Sequence, residues 1–276
     1  MQNEMEDEFM NYTFEAMSPQ RALPALRRWA ASLSGVTDDF FERHVLNATT
    51  YAICADGAPV GLFSLFAEDA GMRITAFALE ERHWAMAQKL FARILSEYAV
   101  VSAFVVTHDE LFLSLCMDVQ VGLEPQAYFF DGRVAGDVPA PQFGRECFSE
   151  VTREELPAMY AETGDFFDDM GPQGHQEGRY RFWRLAQDGE TLGYGVTVFL
   201  QLREGVVACG EIVLPQHRRK GVARSLQLHM GDWARENGLT PVGGCWFHNE
   251  ASRNTFFSAG KYSRTRLLNV KLPGKR

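Results

Sequence analysis

Residues 213–224 read Val-Leu-Pro-Gln-His-Arg-Arg-Lys-Gly-Val-Ala-Arg, with four cations (Arg218, Arg219, Lys220 and Arg224) gathered around Gly221. The chemistry such a segment suits is the binding of a polyphosphate. A helix N-terminus offers unpaired backbone N–H groups and a positive dipole end to an anion. Gly221 lets the backbone come close to that anion, and the cations balance its charge. The arrangement requires a helix to begin here, and the spacing predicts one. A short, mostly apolar run from Glu211 to Leu214 stops at Pro215, and Val222, Leu226, Met230 and Trp233 then recur at helical spacing. The order is strand, basic loop, helix.

A second cluster lies downstream. Asn249-Glu250-Ala251-Ser252, then Phe256, then Gly260, reads as a helix opened by an Asn and closed by a Gly. Between the clusters fit one amphipathic helix ending at Asn237-Gly238 and one strand, Val242 to Phe247. A basic run by itself reads as well as a solvated helix start or a nucleic-acid contact; the strand before it, the helix after it and the Asn249 helix narrow the choice. Arg218-Arg219-Lys220-Gly221-Val222-Ala223 fits an Arg/Gln-x-x-Gly-x-Gly/Ala signature, and with the Asn249 segment in register the chain resembles the GNAT superfamily of N-acetyltransferases.

That resemblance implies acetyl-CoA as cosubstrate. It implies that strand-edge backbone at Glu211, Ile212 and Val213 pairs with pantetheine, that the amides of Arg219, Lys220, Gly221, Val222, Ala223 and Arg224 take the pyrophosphate, and that Asn249 binds the pantetheine arm. The side chains of Ile212 and Val213 read equally as ordinary core. Acetyl transfer to an amine needs the thioester held beside the acceptor nitrogen, a proton removed from the ammonium, and a stabilised thiolate. Glu211 is the first candidate for the base, a carboxylate within an apolar strand on the same face as Val213. Partial burial raises a carboxyl pKa and suits it to accept a proton. A solvent-facing edge Glu is the alternative, and His248 is a second base candidate. Asp165, Asp168 and Asp169 fit recognition of a cationic amine or a solvated loop.

The chain departs from the family at the leaving group. Many GNAT enzymes carry a Tyr where this sequence has Phe256, and phenylalanine has no proton to donate. Water, backbone donors, Ser252, Tyr262 or Cys245 are the substitutes. Cys209 and Cys245 read most simply as core cysteines on strands.

The 276 residues, 46% of them hydrophobic, suffice for two ordinary domains. Net charge is −9, split as −11 over residues 1–144 and +2 over 145–276, so the anion site falls in the half that is not acidic. An acidic chain binds nucleic acid poorly, because phosphate neutralisation dominates that affinity. The five cysteines form no CxxC pair, which implies neither a disulfide framework nor a metal site. Met1 to Met10 is acidic without a basic residue, unlike a secretory or transit signal, and no run of about eighteen apolar residues suggests a membrane span. The expectation is a cytoplasmic protein with no nucleic-acid or membrane partner, a homodimer being the assembly left open.

A Gly- and Pro-rich stretch, residues 131–142, reads as a linker, and Thr152 with Glu155 as a capping box opening a new helix. After it come strands at Tyr180 to Ala186, Leu192 to Leu200 and Val206 to Leu214, and a final strand at Arg266 to Leu272. The first half looks like a worn copy. Thr50 to Cys54, a turn at Asp56-Gly57 and Val60 to Phe66 match the hairpin around Asp188-Gly189. Arg82 to Ala87 stands where Arg218 to Ala223 stands, and Asp109 where Asn249 stands. Ala85 in place of Gly221, with Glu80 and Glu81 nearby, disfavours a phosphate.

The fold class expected is α/β (α+β): two GNAT-like domains, each a twisted, mixed, mostly antiparallel sheet flanked by helices. Residues 1–138 would form a degenerate domain without a CoA site, and 145–276 the acetyltransferase domain. The function expected is transfer of an acetyl group from acetyl-CoA to a primary amine of a small molecule by direct attack. A non-catalytic acyl-CoA-binding or scaffold module is the alternative.

Overall fold

A computed structural model describes residues 10–168, 170, 174 and 177–274. The chain forms two compact units: residues up to 35, 40–127 and from 265 onward make the first, and 36–39 with 128–264 make the second.

The first unit runs β1 (Tyr12–Ala16), α1 (Pro19–Ser32), α2 (Asp39–Leu46), β2 (Thr49–Ala55), β3 (Ala58–Glu68), β4 (Gly71–Leu79), α3 (Ala87–Glu97), β5 (Val100–Val106) and α4 (Glu110–Val119). Strand β6 (Gly122–Phe130) carries the boundary, which falls after residue 127. Strands β1 to β4 pair in sequence order, all antiparallel. Asp56 (φ 49°) and Gly57 (φ 82°) supply the two left-handed residues that a tight β2–β3 hairpin needs. The step from β4 to β5 crosses over through α3, so those strands run parallel. Phe63, Phe77, Phe91 and Phe112 are fully buried between sheet and helices.

The second unit continues with β7 (Gly132–Arg133), β8 (Phe148–Glu150), α5 (Leu156–Thr163), β9 (Tyr180–Gln187), β10 (Glu190–Phe199), β11 (Val206–Val213), α6 (Val222–Glu236), β12 (Thr240–Trp246), α7 (Glu250–Ser258) and β13 (Lys261–Tyr262). Asp188 (φ 53°) and Gly189 (φ 82°) repeat the hairpin chemistry of Asp56-Gly57 between β9 and β10. Strands β8 to β11 are antiparallel, and the α6 crossover makes β12 parallel to β11. Phe167 and Phe182 fill the core on one face, and Trp183, Leu226 and Met230 fill it on the other. Both units therefore have the expected class, a mixed α/β arrangement with a mostly antiparallel sheet.

Two features differ from the sequence reading. The last strand, β14 (Thr265–Lys271), was expected to close the second domain, but it pairs antiparallel with β5, Leu267 opposite Val106 and Lys271 opposite Ser102. Its Leu268 and Val270, with Leu272 just beyond, are buried in the first core. The stretch expected to be a linker is bonded into the second unit. Gly132 and Arg133 pair with Tyr262 and Lys261, the Phe143 N–H donates to Ser225 Oγ (3.2 Å), and the Phe143 carbonyl lies 2.8 Å from His229 Nε2. Its Gly and Pro content breaks regular structure without freeing the backbone, because α6 supplies the partners. Among the described residues no helix is long and apolar enough to cross a membrane.

Truncating Leu268 to Ala should cost the first unit about 2–5 kcal/mol, the usual range for a buried Leu. Hydrogen exchange at the β5 amides Ala103 to Val106 should accelerate accordingly, and unaltered protection would contradict the placement of β14.

Candidate active site

Strands β11 and β12 pair at only three positions, Val206 with Thr240, Val207 with Pro241 and Ala208 with Val242. Beyond Ala208 they share no rungs, and a cleft of about 900 Å³ lies there. Glu211, Ile212 and Val213 line it from β11, Gly244 and Cys245 from β12, and Asn249, Ser252 and Phe256 from the α7 side. Gly243 and Gly244 permit close packing of β12: a Cβ on the first would strike the Phe256 ring, and one on the second the Asp38 carboxylate.

At the other end of the cleft stand Arg218, Arg219, Gly221, Val222, Ala223 and Arg224. A short 3-10 turn over Pro215–His217 ends β11, and the chain then passes through left-handed conformations at Arg219 (φ 61°) and Gly221 (φ 81°). Such turns direct successive N–H groups into one concavity, a form that binds anions. Arg219 adopts at some cost a conformation natural to glycine, as residues at binding sites often do. Gly221 is required twice over, for its φ and because a Cβ would press on Gln142 at 2.9 Å. It is also the N-cap of α6 and offers no side chain to the first-turn amides, which leaves them for a ligand. The turn thus fits a diphosphate by its amides, its dipole and the Arg218 and Arg219 guanidinium groups.

Two of the expected cations differ from Arg218 and Arg219 in their surroundings. Lys220 is exposed and does not line the cleft. The Arg224 guanidinium donates to the Ser258 carbonyl (2.8 Å), the Ala140 carbonyl (2.8 Å) and the Pro139 carbonyl, so it ties the 139–143 segment to the second unit. Arg224 thus lines the cleft with its guanidinium engaged by carbonyls, which a group with several donors satisfies well.

Glu211 is half-buried on the cleft wall. Burial pushes its carboxyl up to about 7, against the opposing pull of a hydrogen bond from Gln227 and the nearby Lys261 charge. It is the only carboxylate lining the cleft among the described residues. His248 is exposed, edge-on to the Trp246 and Phe247 rings, and outside the lining. Asp165 and Asp168 are exposed and outside it too, although Phe166 between them does line the cleft. Asp169 lies outside the described residues. No group of three His, Cys, Asp or Glu able to hold a metal ion occurs among the described residues.

Asn249 caps α7, its Oδ1 accepting from the Ser252 N–H (3.0 Å), and its amide NH₂ is left for another acceptor in the cleft. Phe256 is buried and stacks on Phe130 at 4.4 Å, so the position usually held by a hydroxyl is part of the core. Ser252 and Cys245 line the cleft, while Tyr262 is exposed and does not. Cys245 and Cys209 are buried on their strands, and burial raises both thiols, Cys245 to about 11. Sequence reasoning missed Gln227 and Lys261. The signal for Gln227 was a polar residue beside Leu226 on the helix face turned to the sheet; Lys261 carried none beyond its place after Gly260.

The corresponding part of the first unit is built differently. Strands β4 and β5 also pair at three positions and then part. Yet Glu81–Met86 winds a 3-10 helix straight into α3, with no left-handed residue. The His83 N–H donates to the Glu80 carbonyl (2.8 Å) and the Trp84 indole to the Leu79 carbonyl (2.8 Å). Asp109 caps α4 as Asn249 caps α7, but its other oxygen accepts from the buried Trp29 indole at 3.1 Å. Burial pushes Asp109 up to about 6.

Two family models match the chain, an acetyltransferase (GNAT) domain over residues 20–133 and the acetyltransferase (GNAT) family over 145–258. The chain belongs to the GNAT acetyltransferases and carries two such domains in tandem. Membership implies acyl transfer from acetyl-CoA. Among solved structures, a GNAT-family acetyltransferase from Colwellia psychrerythraea is similar at TM-score 0.80 and 17% identity, covering 94% of this chain and 99% of that one. A tandem GNAT protein from the clavulanic acid biosynthesis pathway is similar at TM-score 0.62 and 11% identity, covering 94% and 98%. At these identities the likeness shows the fold alone. No curated protein matches the chain in sequence.

Replacing Arg224 by Ala removes the clasp on residues 139–143. Limited proteolysis there should speed up about tenfold, equivalent to about 1.4 kcal/mol of local stability; cleavage at the wild-type rate would contradict the clasp.

Proposed function

We propose that the second unit moves an acetyl group from acetyl-CoA to a primary amine of a small molecule by direct attack, and that the first unit keeps the fold without a CoA site. The observation that carries this reading is the cleft where β11 and β12 part. It brings a carboxylate able to titrate near neutrality and an anion-binding turn onto one strand–loop–helix segment.

The roles follow from the chain's own groups. The amides of Arg219 to Arg224 and the Arg218 and Arg219 side chains hold a diphosphate at the start of α6. The unpaired edge of β11 at Glu211 to Val213 aligns the pantetheine arm, with the Asn249 amide donating from the opposite wall. This ligand supplies the activated acyl group. Glu211 accepts the proton of the acceptor ammonium, so the nitrogen lone pair becomes free to attack. Holding both partners in one cleft supplies the proximity part of the rate. Without a hydroxyl at Phe256, the departing sulfur is left to Ser252, water or backbone N–H groups.

The reading of the first unit is supported by its own loop. A 3-10 helix uses its N–H groups internally, where an anion turn would point them outward, and the Trp29 indole occupies the Asp109 carboxylate. We further propose that the protein acts in the cytoplasm without a nucleic-acid or membrane partner and with no metal, and that it pairs as a homodimer. A second reading, a non-catalytic acyl-CoA-binding module, is favoured by Phe256 alone.

Calorimetric titration with acetyl-CoA should give one site per chain; two sites would sink the reading of the first unit, and none would sink both readings of the second. With a panel of polyamines, amino acids and aminoglycosides, thiol release from acetyl-CoA should rise with pH through about 7, because Glu211 must be ionised to accept a proton. Glu211→Gln should lower kcat by about 10²–10⁴ while leaving acetyl-CoA affinity unchanged. A saturable site with no thiol release for any amine would favour the binding module.

A further inference from the structure

Behind the cleft, three side chains form a polar chain through the apolar interior of the second unit. Gln227, on α6, is buried; its Nε2 donates to Glu211 Oε2 and to the Cys209 carbonyl (3.2 Å), and its Oε1 accepts from Lys261 Nζ at 2.7 Å. Lys261 opens β13 and is also buried, its Nζ lying 5.2 Å from the centre of the Phe256 ring. Gly260, left-handed at φ 72°, ends the turn after α7 just before Lys261.

The chemistry of the two ends fixes the middle. Burial lowers the Lys261 ammonium from its usual range, with Cys209 and Glu211 opposing; as the cation it has donors and no acceptor, so the carbonyl end of the Gln227 amide must face it. The NH₂ end must then face Glu211 and the Cys209 carbonyl. A flipped amide would set an oxygen against the Glu211 carboxylate and an NH₂ against the ammonium. In a buried setting both clashes are costly, and the first is relieved only when Glu211 carries a proton. A protonated Glu211 cannot take the proton of a substrate ammonium.

We infer that Gln227 and Lys261 are positioning residues that keep Glu211 ionised and oriented in the cleft, with Lys261 acting through the orientation it imposes on the Gln227 amide as well as by its charge. The inference rests on the reading of Glu211 as the base. It differs from a packing role, because an apolar side chain of equal volume at either position would fill the space and lose the effect. The other titratable groups around the chain are Cys209 on β11, Cys245 on β12, Arg235 on α6, Arg133 on β7 and the buried side chain of Asp131, which lines one cavity with Gln227 and Lys261 and pairs with Arg264 at 3.2 Å. Burial holds both thiols in the neutral form. Arg235 is paired with Asp232 at 2.7 Å. None of these five supplies Glu211 with a hydrogen-bond donor.

The test is made on the full chain with carbon-13 in the Glu side-chain carboxyls, the Glu211 signal being the one lost in Glu211→Gln. Its titration midpoint is followed by NMR in the wild type, Gln227→Met, Lys261→Met and the double variant. Each single variant should move the midpoint upward by about one pH unit or more, a tenfold or greater loss of ionised form at a pH below both midpoints. The double variant should shift by clearly less than the sum of the two single shifts, because part of the Lys261 effect runs through the amide. Unmoved midpoints in both single variants overturn the inference. Shifts that add in the double variant show Lys261 acting on Glu211 directly and overturn the relay. If Lys261→Met fails to fold, Gln227→Met still decides whether the amide holds Glu211 ionised. The titration needs no acceptor, so it stands apart from the base reading: full acetyl transfer by Glu211→Gln would sink that reading and leave the midpoints as measured.

Discussion

Everything at the site depends on two parallel strands that stop pairing. Three rungs hold β11 to β12, and beyond Ala208 the strands separate. A sheet cannot leave backbone amides and carbonyls unsatisfied indefinitely, so an opening of this kind presents them to a ligand that can act as a strand. The crossover helix α6 starts where the opening ends and supplies a positive dipole there. One departure from sheet regularity therefore leaves both a groove walled by strand backbone and a helix N-terminus at its mouth. The groove wall is also where burial tunes Glu211. The two glycines of β12 belong to the same device, since ordinary side chains there would meet the Phe256 ring and the Asp38 carboxylate.

The first unit repeats the fold with a different connecting turn. The strands part after the same number of rungs, and the cap of the following helix is conserved in form between Asp109 and Asn249. What differs is the connecting turn. Without left-handed residues it closes into a 3-10 helix whose hydrogen bonds are internal. The packing of Phe63, Phe77, Phe91 and Phe112 is indifferent to that change, because the sheet and its helices need only the apolar pattern. Fold and chemistry are specified by separate residues.

Much of this was legible in the order of residues. The Asp-Gly pairs at 56–57 and 188–189 announce tight hairpins because they tolerate the left-handed turn. Gly221 after three cations announces an anion turn, and Asn249 a helix start. The features that were not legible are long-range. The sequence of β14 has the right alternation for a strand but says nothing of which sheet edge it joins. Residues 131–142 look like a linker by composition, yet Arg224 supplies carbonyl partners that no local rule predicts. Gln227 and Lys261 are far apart along the chain, and only the fold brings them to Glu211.

The pairing of β5 with β14 also sets a timetable for synthesis. The chain emerges from the ribosome N-terminus first, so the first unit is made long before the strand that completes its sheet. Until Thr265–Lys271 appears, one edge of Val-Val-Ser-Ala-Phe-Val-Val is open, a β-branched, uncharged strand of the kind that recruits foreign strands. The second unit, by contrast, is complete by residue 264. The order of maturation therefore runs against the order of translation, and the nascent N-terminal half is the part of this protein most in need of protection by chaperones.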